Sequence, residues 1–450
     1  MDLKSVITGI EGLKAKGDLD IEIKSIESDS RKISKDGMFV AIKGFETDGH
    51  KYIKQAVENG ATAIMIQEGT KINKEDITDD TTIIMAPDTR IAAAKMACNF
   101  YKNPSKELKL IGITGTKGKT TTSFMIKAIL EAQGKKVGLI GTIANYIGGK
   151  NLGESSRTTP DSLELQKLFK QMVEEKVECA VMEVSSQALK LHRVDGCDFD
   201  IGVFTNFSED HISEKEHPDM EDYFNSKLKL MEMSKTSYIN ADDYRVSKIK
   251  KLLPEKDIKS YGIDNEADLI AKDITITNSS VDFKVKINGK NERVKTGIPG
   301  RFSVYNSLAA ISVATKLGAN VEKIKEALLS VRVPGRSELV DNKKGLTIMI
   351  DYAHSPKSLQ SILSAVKSYT RGKVISVFGC GGDRDKTKRP IMGQISTSIA
   401  DFTIITSDNP RTEEPSEIVK EIEERSKNIK RQIYNNYKLE LKKQKENTKK

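Results

Sequence analysis

The sequence predicts an α/β protein of three domains. Short apolar runs alternate with amphipathic stretches along most of the chain, and many of those runs end in glycine or polar residues. That is where an open α/β sheet presents its ligand-binding edge. Natural breaks fall at Asn103-Pro104 and at Val333-Pro-Gly-Arg336. A chain of 450 residues also exceeds one ordinary hydrophobic core. The expected domains are residues 1–98, 99–332 and 333–450.

In the first domain, residues 38–43, 61–66 and 82–85 read as strands, and 50–59 and 91–101 as helices. In the second, the Ile- and Leu-rich run 108–114 reads as a buried parallel strand. Helices are expected over 123–133 and 162–174, and buried strands at 137–140, 179–182 and 201–205. Residues 268–297 read as an antiparallel meander, with polar and apolar residues alternating over 282–287 before the Asn288-Gly289 turn. Residues 306–316 and 321–330 read as helices. The third domain repeats strands at 347–350, 373–378 and 402–406 between helical stretches, an incomplete Rossmann-like pattern.

An apolar content of 37% and a charged content of 30% describe a soluble globular chain. No run approaches the ~20 apolar residues that span a bilayer, and the first residues lack a signal-peptide core. A cytoplasmic, membrane-independent monomer is expected. The net charge of +9 is a local property: residues 425–450 hold ten Lys/Arg and two Glu, leaving +1 for the rest. A nucleic-acid partner is therefore not expected. Four widely spaced cysteines without a CxxC predict reduced thiols.

The segment most informative about chemistry runs Thr114, Gly115, Thr116, Lys117, Gly118, Lys119, Thr120. Between a buried strand and an amphipathic helix, such a glycine loop cradles phosphate oxygens with backbone N–H groups and the helix N-terminus. Lys119 would neutralise the β/γ-phosphates and the Thr120 hydroxyl would meet Mg²⁺. Glu183, in Val181-Met-Glu-Val-Ser-Ser186, ends a buried strand, where a carboxylate is costly unless it meets a cation. It is either a partner of that Mg²⁺ or a helix-capping glutamate. His211, after the strand at 201–205, is either a metal or phosphate ligand or a structural histidine. Gly379-Cys-Gly-Gly-Asp-Arg384 and Ser407-Asp408-Asn409-Pro410-Arg411 follow successive strands of the third domain. Arg384 and Arg411 there could grip the carboxylates of a zwitterionic amino acid, or belong to two ordinary surface turns.

With the glycine loop, Glu183-Val-Ser-Ser186, Asp210-His211 and Asp351-Tyr-Ala-His354, the chain resembles the ATP-dependent Mur ligases of peptidoglycan synthesis. Asp29-Ser-Arg31 and Asp408-Asn-Pro-Arg411 are similar to those of the members that add the third amino acid. The resemblance implies a ligase that joins meso-2,6-diaminopimelate to UDP-N-acetylmuramoyl-L-alanyl-D-glutamate through an acyl phosphate, using ATP and Mg²⁺. It implies that Ser30 contacts the uridine nucleotide, and that Thr158, Thr159, Ser185 and Arg193 hold the muramoyl-dipeptide. Asn306, Arg336 and Asp351 would contact ATP. Glu183, His211 and Lys227, the last carbamylated, would serve Mg²⁺, and Arg384 with residues 408–411 the diaminopimelate.

The resemblance is expected to end near Glu424, where the family's Gly-Lys-Gly-His-Glu motif and its strands do not follow. Residues 425–450 read as a basic tail, as if the end were truncated. Three alternatives remain at this level: an L-lysine-adding member, a folylpolyglutamate-synthase-like ligase, and a catalytically impaired binder of ATP and UDP-muramoyl-peptide.

Overall fold

The structure, a computed structural model, describes residues 1–450 apart from 46, 156, 211, 214, 215, 427–431 and 436–450, with the backbone alone for 154 and 432–435. It divides into two compact units. The first holds residues 1–272, 285–292 and 305–328, and the second 273–284, 293–304 and 329–450.

The first unit opens with a five-stranded sheet: β1 Lys14–Lys16, β2 Ser25–Glu27, β3 Gly37–Val40, β4 Ala61–Gln67 and β5 Thr82–Ala86. Its order is β1-β5-β4-β3-β2, parallel except where β1 runs against β5. The helix Thr89–Phe100 packs its alanine face on this sheet, and Asp88 caps it by accepting from the Arg90 and Ile91 amides.

The second sheet is built around β6 Lys109–Thr114, β7 Val137–Ile140, β8 Ala144–Ile147, β9 Lys150–Glu154, β10 Cys179–Glu183, β11 Ile201–Phe204, β12 Thr236–Asn240 and β13 Asp257–Gly262. Six strands run parallel in the order β13-β12-β11-β6-β10-β7. The register sets Val181 beside both Ile111 and Leu139. Continuous Ile/Val/Leu runs suit strands covered on both faces, and β7, β10 and β11 are buried throughout. The helix Ser162–Glu174 buries Leu165, Leu168, Phe169 and Met172 at helical spacing, with Asp161 capping through the Glu164 amide. The β8–β9 hairpin, which is antiparallel, escapes a pattern reading, and so do β13 and β12, whose Thr236-Ser-Tyr-Ile-Asn240 is too polar to read as a buried strand.

The meander stretch forms β14 Leu269–Ile276, β15 Val281–Ile287 and β16 Lys290–Thr296, and β15 shows the alternating burial its sequence predicts. The boundary between the units runs through these strands.

In the second unit, β17 Glu338–Val340 and β18 Ile348–Ile350 form an antiparallel ribbon. This corrects the expectation that residues 347–350 serve as a strand of an open parallel sheet: Ile348 and Ile350 are exposed, so the apolar run does not mark burial. β19 Ile375–Phe378, β20 Phe402–Ile405 and β21 Gln432–Asn435 form a three-stranded sheet, parallel in both pairings. Helices Pro356–Tyr369, Lys388–Ile399 and Pro415–Glu423 supply its core with Leu359, Leu363, Met392, Ile418 and Ile422. β21 overturns the reading of everything after Glu424 as a tail. Ile433 and Tyr434 are good strand formers, and a ladder beside β20 satisfies the backbone that their lysine-rich surroundings conceal.

Candidate active site

The C-terminal ends of β6, β10 and β11 converge on the glycine loop. Gly118, in the left-handed region, precedes the helix Lys119–Ala132, whose first turn carries Lys119 and Thr120. Gly115 lies at φ +141, and a Cβ there would stand 1.9 Å from Thr205 Oγ1 and 3.0 Å from the Asn206 backbone, so only glycine fits. Asn206 shapes the loop: its carbonyl accepts from the Thr116 amide at 2.9 Å and its side-chain oxygen from the Lys117 amide at 3.0 Å. Two of the amides expected to face phosphate are thus held by protein. Lys119 Nζ donates to the Gly115 carbonyl at 2.8 Å and the Thr116 carbonyl at 3.1 Å, folded back over its own loop.

Glu183 is 1% exposed. Its Oε2 accepts from Thr120 Oγ1 at 2.9 Å and Thr142 Oγ1 at 3.1 Å, and its Oε1 from the Thr142 amide at 3.0 Å. Thr142 Oγ1 stands 3.0 Å from Thr158 Oγ1. Thr159 accepts from the Ser185 amide at 3.1 Å and donates to the Glu183 carbonyl at 2.9 Å, while its own carbonyl receives Arg193 Nη1 at 3.1 Å. Burial, and secondly the like charge of Arg157, disfavour the charge on Arg193, a cation placed to welcome an anion. Thr158, Thr159, Ser185 and Arg193 therefore form one cluster beside Glu183. Ser185 also caps the next helix through the Ala188 amide at 3.1 Å. The helix-capping alternative for Glu183 itself is not what its carboxylate does.

Lys227, on the helix Met220–Met233, is 1% exposed, and its Nζ donates to the Gly115 carbonyl at 2.9 Å. Burial, then repulsion from Lys119, hold its ammonium well below the ordinary lysine value. His211 lies outside the described residues. Asn306 accepts from Thr122 Oγ1 at 3.3 Å, beside the loop. Ser30 is buried in the first sheet's neighbourhood, donating to Gln55 Oε1 at 2.6 Å, next to the bidentate Arg31–Asp29 pair. It is not part of the glycine-loop cluster.

In the second unit, Arg336 stacks on the Tyr352 ring at 4.4 Å, and Asp351 accepts from the Ser337 amide at 2.9 Å, so Arg336 and Asp351 stand together. The loops after β19 and β20 also meet. The Gly382 amide donates to the Asn409 carbonyl at 2.8 Å, and Arg411 Nη1 donates to the Gly382 carbonyl. Arg384, Asp408 and Asn409 are exposed around that junction.

A pattern reading misses Asn206, Thr142, His217 and Arg389. The first two sit just past strand ends, which is the one local signal they give. His217 is buried, with Nδ1 2.6 Å from Asp222 Oδ2 and Nε2 2.9 Å from Ser186 Oγ. The four cysteines are free and buried. Among the described residues no helix is long and apolar enough to cross a membrane.

Three family models cover most of the chain: the Mur ligase family catalytic domain over residues 22–101, the Mur ligase middle domain over 113–314 and the Mur ligase glutamate ligase domain over 335–443. The last extends the likeness well beyond Glu424. The UDP-N-acetylmuramoyl-L-alanyl-D-glutamate–2,6-diaminopimelate ligase 1 of Clostridium acetobutylicum is 47% identical over 94% of this chain and 86% of its own. The ligase of that name from Clostridium perfringens is 46% identical over 98% of this chain and 89% of its own. A solved structure of a UDP-N-acetylmuramoyl-L-alanyl-D-glutamate–2,6-diaminopimelate ligase superposes with a TM-score of 0.71 at 26% identity, covering 97% of this chain and 88% of that one. With its α/β sheets, its glycine loop tied to Glu183 and these matches from end to end, the chain belongs to the Mur ligase family.

Proposed function

We propose that this chain is an ATP-dependent amide ligase of peptidoglycan synthesis that adds meso-2,6-diaminopimelate to UDP-N-acetylmuramoyl-L-alanyl-D-glutamate. The observation that carries the reading is 47% identity across 94% of the chain to a ligase of that name. Two features of geometry support it: the loop–Glu183 cluster, and the paired Gly382 and Arg411 loops at the edge of the β19–β20 sheet.

A carboxylate does not accept an amine at neutral pH, so it is activated first. The D-glutamyl carboxylate oxygen bonds to the γ-phosphorus of ATP as the bond to ADP breaks, giving an acyl phosphate. The diaminopimelate amine then attacks the acyl carbon, loses a proton and expels inorganic phosphate, leaving the amide. The protein contributes position and charge. Thr114 to Thr120 and Asn306 serve the phosphates of ATP, with Lys119 swinging from its loop carbonyls to the β/γ-phosphates, and Arg336 and Asp351 serve the same nucleotide. Thr158, Thr159, Ser185 and Arg193 orient the muramoyl-dipeptide, and Ser30 its uridine end. Arg384 and residues 408–411 take the amino acid, Arg411 pairing with the distal carboxylate that lysine lacks.

Oxygen donors that meet at a buried carboxylate fit a hard divalent cation, and Thr120 with Glu183 makes such a pair. His211 and carbamylated Lys227 complete the set of residues that would hold Mg²⁺. Bound there, Mg²⁺ would neutralise charge on the transferring phosphoryl group. The working division is residues 1–98 for the uridine nucleotide, 99–332 for ATP and 333–450 for the amino acid, in a monomeric cytoplasmic enzyme.

The test is phosphate release from ATP with UDP-N-acetylmuramoyl-L-alanyl-D-glutamate and either meso-diaminopimelate, L-lysine or no amino acid. Stimulation by diaminopimelate alone, weakened in Arg411→Ala, is expected. Equal stimulation by lysine would reject the assigned amino acid, and none by either would reject the ligase.

A further inference from the structure

We propose that Arg389 is a positioning residue for amino-acid recognition: it locks the loop after β20 onto the loop after β19 and so holds Arg411 in place. The role rests on the reading of residues 408–411 as the amino-acid site.

Arg389 is in the first turn of the helix Lys388–Ile399, and its side chain is fully buried. A buried guanidinium persists only where carboxylates and carbonyls surround it. Its Nη1 donates to Glu413 Oε2 at 2.9 Å and Glu421 Oε2 at 2.7 Å, and its Nη2 to Glu413 Oε1 at 2.9 Å and the Gly381 carbonyl at 3.2 Å. One planar cation therefore touches the first loop at Gly381 and the second at Glu413, two residues past Arg411. Glu413 Oε1 also accepts from the Asp383 amide at 2.6 Å.

Above this brace the loops are zipped together. Thr412 Oγ1 donates to Asp383 Oδ1 at 2.6 Å, and the Thr412 amide to Asp383 Oδ2 at 3.2 Å. A Cβ on Gly382 would stand 1.8 Å from the Pro410 carbonyl, so the backbones touch. Arg411 itself sits at φ +48, a conformation a non-glycine residue keeps only where its surroundings enforce it. Arg389 is the buried part of those surroundings. Lysine, a single point charge, cannot span Glu413, Glu421 and Gly381 together.

The test compares Arg389→Lys and Glu413→Gln with the wild-type chain. Glu413→Gln keeps the side-chain shape and an acceptor for Asp383, which guards against a variant that merely fails to fold. In both, KM for meso-diaminopimelate should rise tenfold or more, with KM for ATP and for the UDP-muramoyl-dipeptide within twofold. Amide hydrogen exchange should speed up over residues 381–385 and 408–413 and nowhere else, whether or not the enzyme turns over. An unchanged KM for diaminopimelate, a common rise in all three KM values, or wild-type exchange in both loops would overturn the proposal. If exchange accelerates in the variants but the wild-type chain shows no response to diaminopimelate, the amino-acid-site reading has failed and the recognition role falls with it, while the brace stands.

Discussion

Thr120 Oγ1 donates to Glu183 Oε2 across 2.9 Å, tying the first turn of the loop helix to the end of β10. Among the described residues, the Glu183 carboxylate accepts one hydrogen bond from Thr120 and two from Thr142. In Glu183→Gln the amide oxygen can keep the Thr142 amide, and the two threonine hydroxyls can turn to accept from the new NH₂. The fold therefore survives and the charge alone is lost. Turnover should fall about 10²–10³-fold, the scale of losing one preorganised electrostatic group at a reacting phosphoryl centre. Single-turnover phosphate release, beside a melting curve, checks this; a variant within tenfold of wild type contradicts the assigned role.

Gly115→Ala is the corresponding test of the loop. The added Cβ meets Thr205 Oγ1 and the Asn206 backbone, and no rotation of Thr205 moves Asn206 away. The loop must shift, at a cost of about 1–3 kcal/mol. Nucleotide affinity, measured by calorimetry, should drop at least tenfold while the variant remains folded; unchanged affinity would show that the loop's shape does not matter for binding.

Much of this site is legible in the chain because its parts are local. The loop from Thr114 to Thr120 follows from an Ile-rich strand breaking into glycines, and Glu183 from a carboxylate at the end of an apolar run. β12 is not legible, because Ser237 and Thr236 are buried in β12 only by the neighbours its sheet supplies. Arg389 looks like any helical arginine until Glu413 and Glu421, 24 and 32 residues away, close around it. β21 is masked by its basic surroundings, since backbone pairing with β20 leaves no trace in composition. What the sequence conceals in each case is a long-range partner.

Lys227 should depend on dissolved CO₂. Burial and Lys119 favour its neutral amine, the form whose nitrogen attacks CO₂ and then releases a proton to leave a carbamate anion. Turnover should fall in CO₂-depleted buffer and return with bicarbonate, and ¹³C-bicarbonate should give a carbamate resonance absent from Lys227→Met. Turnover indifferent to CO₂, with no such resonance, would leave Lys227 as an uncarbamylated hydrogen-bond donor to Gly115.

His217 predicts a pH dependence of stability with a definite sign. Burial lowers its pKa below 6.5, outweighing the hydrogen bond and charge of Asp222 that raise it, and the charge of Lys190 lowers it further. The folded state therefore binds fewer protons than the unfolded state between the depressed folded value and 6.5. Stability is complete above pH 6.5 and is lost as pH falls through that window, by at most about 1.4 kcal/mol per pH unit for one proton. Asp222, whose carboxyl burial raises but Lys190 and His217 pull net below 3.8, loses its share only at lower pH, so the two groups separate. Urea unfolding of wild type and His217→Asn from pH 7.5 to 5 resolves them. The wild-type advantage should shrink as pH drops below 6.5, because the variant has no imidazole to protonate. An advantage that grows on acidification would mean that the fold raises the His217 pKa and that the Asp222–His217–Ser186 bridge is an ion pair rather than a neutral chain of hydrogen bonds, and one that stays constant would mean that burial does not shift His217 at all.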